Sequence, residues 1–173
     1  MWQANDNLRF NFQATDEAVK LLHMQTQLEK DTNQPFVGLS VSETIYKCTM
    51  LGQQNKSSKV KSEFKVPDKR YWWIKLRALV EVRDWENLEK LAKSKNSPIG
   101  YEVGRGSGFM SIYDINKSKP FVEECIKAKQ YQEASKYILK CDTSMRPMLF
   151  VKIGAFKEAS EQAFLNKDTE SLK

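Results

Sequence analysis

The stretch VPDKRYWWIKLRALVEVRDWENLEKLAKSKNSPIGY, residues 66–101, predicts two helices joined by almost no loop. The first is expected over 67–83, where Pro67 and Asp68 suit the first turn and apolar residues recur every three to four positions. That face is predicted to comprise Trp72, Leu76, Leu79, Val80 and, at its end, Arg83. Asp84 is the expected N-cap of the second helix. Such a short connection makes the helices antiparallel neighbours.

The second helix opens a pattern that recurs along the chain. An aromatic residue begins a predicted helix three times, followed by glutamate and then small or apolar residues, in WENLEKLAKSK at 85, YQEASKYILKC at 131 and FKEASEQAFLN at 156. Each copy follows another predicted helix, at 67–83, 120–129 and 144–153, and the apolar pattern of the last is Met148, Leu149, Val151 and Ile153. The pattern favours an all-α fold, an α-solenoid of stacked antiparallel helical hairpins with no sheet. Chance resemblance among amphipathic helices is the alternative.

Upstream, the pattern predicts further helices with weaker apolar faces. One is expected over 15–30, and another from Ser40 or Ser42 to Gly52, where Ser40 and Glu43 have capping-box spacing and glycine suits the position after the helix. The segment NKSSKVKSEF predicts a short partner helix with a thin apolar side of Val60 and Phe64.

The domain organisation follows from these elements. Residues 1–14 are predicted to form a poorly ordered N-terminal tail, and residues 15–173 an α-solenoid segment. The last residues, KDTESLK, begin a further helical pattern, so the solenoid is expected to be truncated in mid-repeat at its C-terminal end.

Composition excludes several classes of protein. With 40% hydrophobic and 29% charged residues among 173, the chain is globular, and no apolar run reaches the roughly 20 residues that span a bilayer. The N-terminus lacks the pattern of a secretory signal, so a cytosolic location is expected.

Residues for catalysis or metal binding are scarce. Cys48, Cys125 and Cys141 form no CxxC pair and are predicted to be buried free thiols. His23, the single histidine, lies within a helical pattern and is interpreted as a structural or surface residue. The glycines of GRGSG at 104–108 match no phosphate-binding motif. We therefore expect neither an enzyme nor a cofactor, metal or small-molecule substrate.

The net charge of +6 admits two interpretations. Lysines and acidic residues alternate along the predicted helices, which is typical of solvated helix faces. The alternative is a basic helical-repeat module that binds single-stranded nucleic acid, but the aromatic residues that would stack on bases lie at core spacing, which disfavours it.

Three segments carry a resemblance to a known family. PDKRYWW, DWENLEKLAKSKNSPIGY and PFVEEC, with LEKDTNQPFVGLSVSETI upstream, resemble the C-terminal region of the family of vacuolar protein sorting-associated protein sixteen. The likeness covers residues 20–102 and 120–173. It implies a solenoid scaffold in the HOPS and CORVET tethering complexes, which act in membrane fusion at endosomes and the lysosome or vacuole.

The resemblance also implies partners and a location. The expected partners are a Sec/Munc-type subunit that promotes SNARE assembly and the other tethering-complex subunits. Membrane contact would be indirect, on the cytosolic face of late endosomes and the lysosome or vacuole. If the family's interface carries over, it lies on the helices of 68–95 and 120–141. The candidate partner-binding residues are the rim charges Asp68, Lys69, Arg77, Glu81 and Lys140.

One departure from the family pattern is an insertion of 17 residues, 103–119, between SPIGYE and PFVEEC. Removing it reduces the 46-residue spacing of the repeat at 85 and 131 to 29, close to the 25 residues between 131 and 156. A surface loop between hairpins is predicted here. A retained short intron or alternative splice choice and a lineage-specific loop are both open as its origin.

Overall fold

The computed structural model describes residues 2–94 and 118–166, with side chains from residue 9 onward. Within these ranges the regular structure is all helical, without a strand, which confirms the predicted fold class. The α-helices are α1 Trp2–Thr32, α2 Val41–Met50, α3 Gln54–Glu63, α4 Asp68–Glu81, α5 Trp85–Lys93, α6 Lys119–Lys127, α7 Tyr131–Ile138, α8 Arg146–Lys152 and α9 Phe156–Leu165. A 3₁₀ turn, Thr143–Met145, precedes α8.

Successive helices pair as hairpins. Helices α2 and α3, α6 and α7, and α8 and α9 pack directly on each other. In each of these pairs, and between α4 and α5, three residues connect the helices. The three repeat copies begin helices at Trp85, Tyr131 and Phe156, at the residues that the sequence predicted.

The four three-residue connections share one backbone geometry. Their middle residues, Gly52, Arg83, Lys129 and Gly154, all have positive φ, between 56° and 76°. After α6, the amide of Gln130 donates to the carbonyl of Cys125 at 2.8 Å and that of Lys129 to Ile126 at 2.9 Å. The other three connections repeat these two bonds. This is the Schellman arrangement, which satisfies carbonyls at the helix end.

The contacts divide the chain into two compact units, residues 1–75 and 76–173, with the division inside α4. In the first unit, Leu28, Phe36 and Cys48 form a buried cluster against which Leu39 packs. Glu29 joins α1 to the following loop, because one carboxylate oxygen accepts from the amides of Phe36 and Val37 at 2.5 and 2.8 Å. These two bonds lower the pKa of Glu29.

A buried amide ties α1 to α2 in the same unit. Nε2 of Gln25 donates to the carbonyl of Leu39 at 2.6 Å and to Oγ1 of Thr44 at 2.9 Å. Helix α2 begins with the predicted capping box, in which Ser40 and Glu43 each accept the other's backbone amide proton. Val60 is fully buried on α3, as predicted.

The second unit has a core drawn from each of its helices. Leu76, Leu79 and Leu88 are buried on α4 and α5, and Phe121 of α6 stacks on Tyr137 of α7 with ring centroids 5.0 Å apart. Leu149 and Phe150 are buried on α8, and Ala159 and Ala163 on α9. Alanines of the second and third repeat copies, Ala134, Ala159 and Ala163, therefore face the core.

Several sequence-based bounds and faces need correction. Helix α1 begins at Trp2 rather than near residue 15, so 2–14 is helical, although the side chains of 9–20 are all exposed. Arg83 is not on the buried face of α4, because that helix ends at Glu81 and Arg83 is an exposed turn residue with φ of 58°.

Two predicted segments lie wholly or largely outside the described residues. Of the insertion 103–119, only Ser118 and Lys119 are described, and Lys119 already begins α6. The segment 167–173, predicted to begin a further helix, is outside as well. The assignment of 1–14 as a poorly ordered tail and of 15–173 as one domain stays a prediction.

The left-handed turn residues yield a stability prediction. Replacing Lys129 by glycine is expected to raise the free energy of unfolding by about 0.5–1 kcal/mol, because a residue with a Cβ is strained at positive φ and glycine is not. Urea unfolding followed by circular dichroism measures the change. As a control, Lys152→Gly at the last residue of α8, an exposed position, should lower it by about 1 kcal/mol. A loss of stability in Lys129→Gly would contradict this account.

Candidate protein-interaction surface

The five predicted partner-binding side chains are all exposed. Asp68 and Lys69 lie in the first turn of α4, and Glu81 is its last residue. Arg77 lies one turn before that end, and Lys140 follows α7 by two residues. Asp68 and Lys69 belong to the first unit and the other three to the second, so each group is described within its own unit.

In the first unit, the charges around the start of α4 are held in place. Lys61 of α3 pairs with Asp68. The ammonium groups of Lys61 and Lys75 lie 5.3 and 5.6 Å from the ring centroid of Tyr71, within cation–π range. The Tyr71 hydroxyl in turn is 3.1 Å from Oγ of Ser58. The side chains beside Asp68 are therefore ordered by contacts between α3 and α4.

In the second unit, Arg77 connects α4 to α6. Its Nε lies 3.8 Å from a carboxylate oxygen of Glu124, whose other oxygen accepts from Lys127 at 2.6 Å. The Arg77 side chain is 60% exposed and that of Glu124 only 10%. A largely buried carboxylate thus lies at ion-pair distance, though not at hydrogen-bond distance, from a guanidinium that is mostly exposed. An exposed guanidinium suits recognition of an acidic partner group.

Lys140 lies beside a second charged group. Its ammonium is 4.9 Å from the centroid of the Tyr137 ring. The pKa of Glu89 on α5 is lowered, mainly by its bond to Lys93 and further by Lys140 and Lys136. Glu89 of α5 therefore lies near Lys136 of α7 and near Lys140, which follows α7, on the surface.

Two glutamates that pair with lysines on this surface were not identified from the sequence. Glu124 and Glu133 are nearly buried, and each accepts a lysine three residues later at 2.6 Å, from Lys127 and Lys136. The Glu-to-Lys spacing on a helix is visible in the sequence. Their burial depends on how α6 and α7 pack, which spacing alone does not disclose.

The chemistry expected of the cysteines agrees with their surroundings. Cys48, Cys125 and Cys141 are free and buried, as predicted. In residues 2–94 and 118–166, no three histidine, cysteine or acidic side chains are close enough together to hold a metal ion. Among the helices in those ranges, none is long and apolar enough to cross a bilayer.

Comparison with known proteins agrees with the sequence resemblance. The family described as "Vps16, C-terminal region" matches residues 1–173. The chain belongs to this family.

Three relatives show how far the similarity extends. A vacuolar protein sorting-associated protein 16 homolog of Dictyostelium discoideum is 42% identical over 91% of the chain. A homolog of the same name from Drosophila melanogaster is 38% identical over 88%, and Protein VACUOLELESS1 of Arabidopsis thaliana is 40% identical over 94%. The chain spans 17%, 16% and 17% of these relatives, respectively, about a sixth of their length.

Proposed function

We propose that this chain is a protein-binding scaffold segment of a tethering complex of the endosome and the lysosome or vacuole. The match of its entire length to the C-terminal region of Vps16 carries the proposal. The names of the relatives refer to vacuolar protein sorting, which supports a role in intracellular protein transport. Helical hairpins with charged outer faces and buried small residues supply a scaffold rather than reaction chemistry.

The finer proposal concerns the partner. A Sec/Munc-type subunit that promotes SNARE assembly would bind the outer faces of 68–95 and 120–141, with the other subunits of HOPS or CORVET bound elsewhere. Asp68, Lys69, Arg77, Glu81 and Lys140 would act as rim charges. Their exposure and the ion pair of Arg77 with Glu124 support this assignment. The complex, rather than a membrane-spanning segment, would bring the chain to the cytosolic face of late endosomes and the lysosome or vacuole.

Charge exchange at the rim tests this interface. A variant with Asp68→Lys, Lys69→Glu, Glu81→Lys and Lys140→Glu keeps the net charge but reverses the pattern. We expect its affinity for the purified Sec/Munc-type subunit to fall about tenfold or more, chiefly through slower association, because rim charges steer encounter. Surface plasmon resonance at two salt concentrations separates the association and dissociation rates.

A matched control exchanges charges elsewhere. Glu17→Lys, Lys59→Glu, Glu63→Lys and Lys152→Glu also alter exposed residues without changing the net charge, and affinity should change less than twofold. Equal losses in both variants would refute the rim assignment. If the native chain does not bind the Sec/Munc-type subunit at micromolar concentration, the proposal of that partner is refuted. Steeply salt-dependent binding to single-stranded nucleic acid would favour the alternative function.

A further inference from the structure

A groove in the second unit lies between α7 and α9 and has a volume of about 650 Å³. Phe150 of α8 contributes to its lining from the core. Tyr131 and Leu139, at the two ends of α7, line one side, and Glu158 and Glu161 of α9 line the other. None of the rim charges discussed above lines it.

The α7 side of the groove presents apolar surface to solvent. Tyr131 is 45% exposed and Leu139 55% exposed, although both are large hydrophobic side chains. Single exposed apolar residues are common, but apolar side chains gathered in a concave surface are typical of a binding site. The groove therefore offers apolar area that a partner would remove from water.

The α9 side presents negative charge. The other glutamates of 118–166, Glu123, Glu124 and Glu133, each have a lysine partner. Within the described residues, Glu158 and Glu161 form no ion pair, and no lysine or arginine is among the described residues that line the groove. On a chain with net charge +6, this is a locally acidic surface.

We propose that this groove binds a basic amphipathic helix of a partner protein. Glu158 and Glu161 are three residues apart on α9, so they project from one face and match two lysines or arginines one turn apart. The apolar face of the incoming helix packs on Tyr131 and Leu139. An amphipathic helix in an apolar groove is a common mode of peptide recognition. The acidic lining repels a phosphate backbone, so the occupant is a protein segment.

The test uses the full 173-residue chain and two synthetic peptides. One is an 18-residue helical peptide of alanine, leucine and lysine, with leucines on one face and lysines flanking them, and the other carries glutamate in place of every lysine. Fluorescence anisotropy should give micromolar binding of the lysine peptide and at least tenfold weaker binding of the glutamate peptide. A preference for the lysine peptide indicates a local acidic site, because the net positive charge of the chain by itself favours the glutamate peptide.

Variants locate the bound peptide. Glu158→Lys with Glu161→Lys should weaken binding of the lysine peptide at least tenfold, and Leu139→Ser should weaken it several-fold. The matched control is Glu86→Lys with Glu89→Lys, which makes the same charge change at the same spacing on α5, and affinity should change less than twofold.

Three results would overturn the proposal. The first is an equal loss of affinity for the lysine peptide in the two double variants. The second is unchanged affinity in the variant with Glu158→Lys and Glu161→Lys, and the third is equal affinity of the native chain for both peptides. Circular dichroism of each variant checks that helix content is retained. The groove shares α7 with the proposed Sec/Munc-type interface. Peptide binding is measured without that subunit, so the two proposals can fail separately.

Discussion

Replacing Tyr137 by alanine is expected to lower the free energy of unfolding of the second unit by about 3–5 kcal/mol. Tyr137 is 1% exposed and is among the largest fully buried side chains. It stacks on Phe121, with an angle of 18° between the ring planes. Truncation therefore loses apolar burial and an aromatic contact, and it leaves a cavity between α6 and α7. Urea unfolding followed by near- and far-ultraviolet circular dichroism measures the loss.

The same helix provides a matched control. Tyr131 is 45% exposed, so Tyr131→Ala should cost less than about 1 kcal/mol. Phe121→Ala should resemble Tyr137→Ala, and the double variant should cost less than the two single changes together, because both remove the same stacked pair. Equal effects at positions 131 and 137 would show that the α6/α7 packing differs from that described.

The three thiols are expected to react with iodoacetamide on the order of 10²-fold more slowly in the folded chain than in the unfolded chain at pH 8. Burial raises the pKa of Cys48 to about 11, that of Cys125 to about 12 and that of Cys141 to about 11. The reactive thiolate is therefore scarce, and the sulfur is also covered. Mass spectrometry of the labelled peptides measures each rate separately. A thiol that reacts at the unfolded rate in the native chain would contradict its described burial.

The same raised pKa values predict how stability depends on pH. Below the unfolded thiol pKa of about 8.5, the thiols are protonated in both states and their contribution to stability is fully present. Above it, the unfolded chain loses these protons first and is favoured, so stability falls as pH rises toward 11–12. The expected loss by pH 10 is on the order of 1–2 kcal/mol per thiol. A variant with alanine at all three positions should lose most of the slope between pH 8.5 and 10, and the remainder comes from groups such as Tyr137, whose pKa is also raised by burial.

Local rules predicted most of the helical architecture. The capping box of Ser40, the N-cap of Asp84 and the aromatic openings at Trp85, Tyr131 and Phe156 were all found where spacing placed them. Each depends on residues within one turn of helix, so the sequence carries the whole signal.

Burial on short helices was predicted less well. The spacing in α8 suggested an apolar face of Met148, Leu149, Val151 and Ile153, yet Met148 and Val151 are exposed and Phe150 is buried. A seven-residue helix has two turns, so its neighbours rather than its periodicity decide which apolar side chains are covered.

The candidate sites were predicted in part. The sequence identified exposed charges on α4 and after α7, and these side chains do face solvent. It did not indicate the ion pair of Arg77 with Glu124, or the groove between α7 and α9, because both depend on how one hairpin packs against another. Tertiary contacts of this kind are not encoded in a local pattern.

The repeated three-residue connection has a consequence for how such a chain changes in evolution. The turn of each hairpin is held by backbone hydrogen bonds within that hairpin. A change in chain length outside the hairpin therefore leaves the turn unaltered. Additions and deletions are therefore expected to be tolerated better between hairpins than within a three-residue connection. The insertion predicted at 103–119 fits this expectation, because it begins after α5 ends at Lys93 and ends at Lys119, the first residue of α6. Related chains are thus expected to differ in the length of the segments between hairpins while each hairpin is retained.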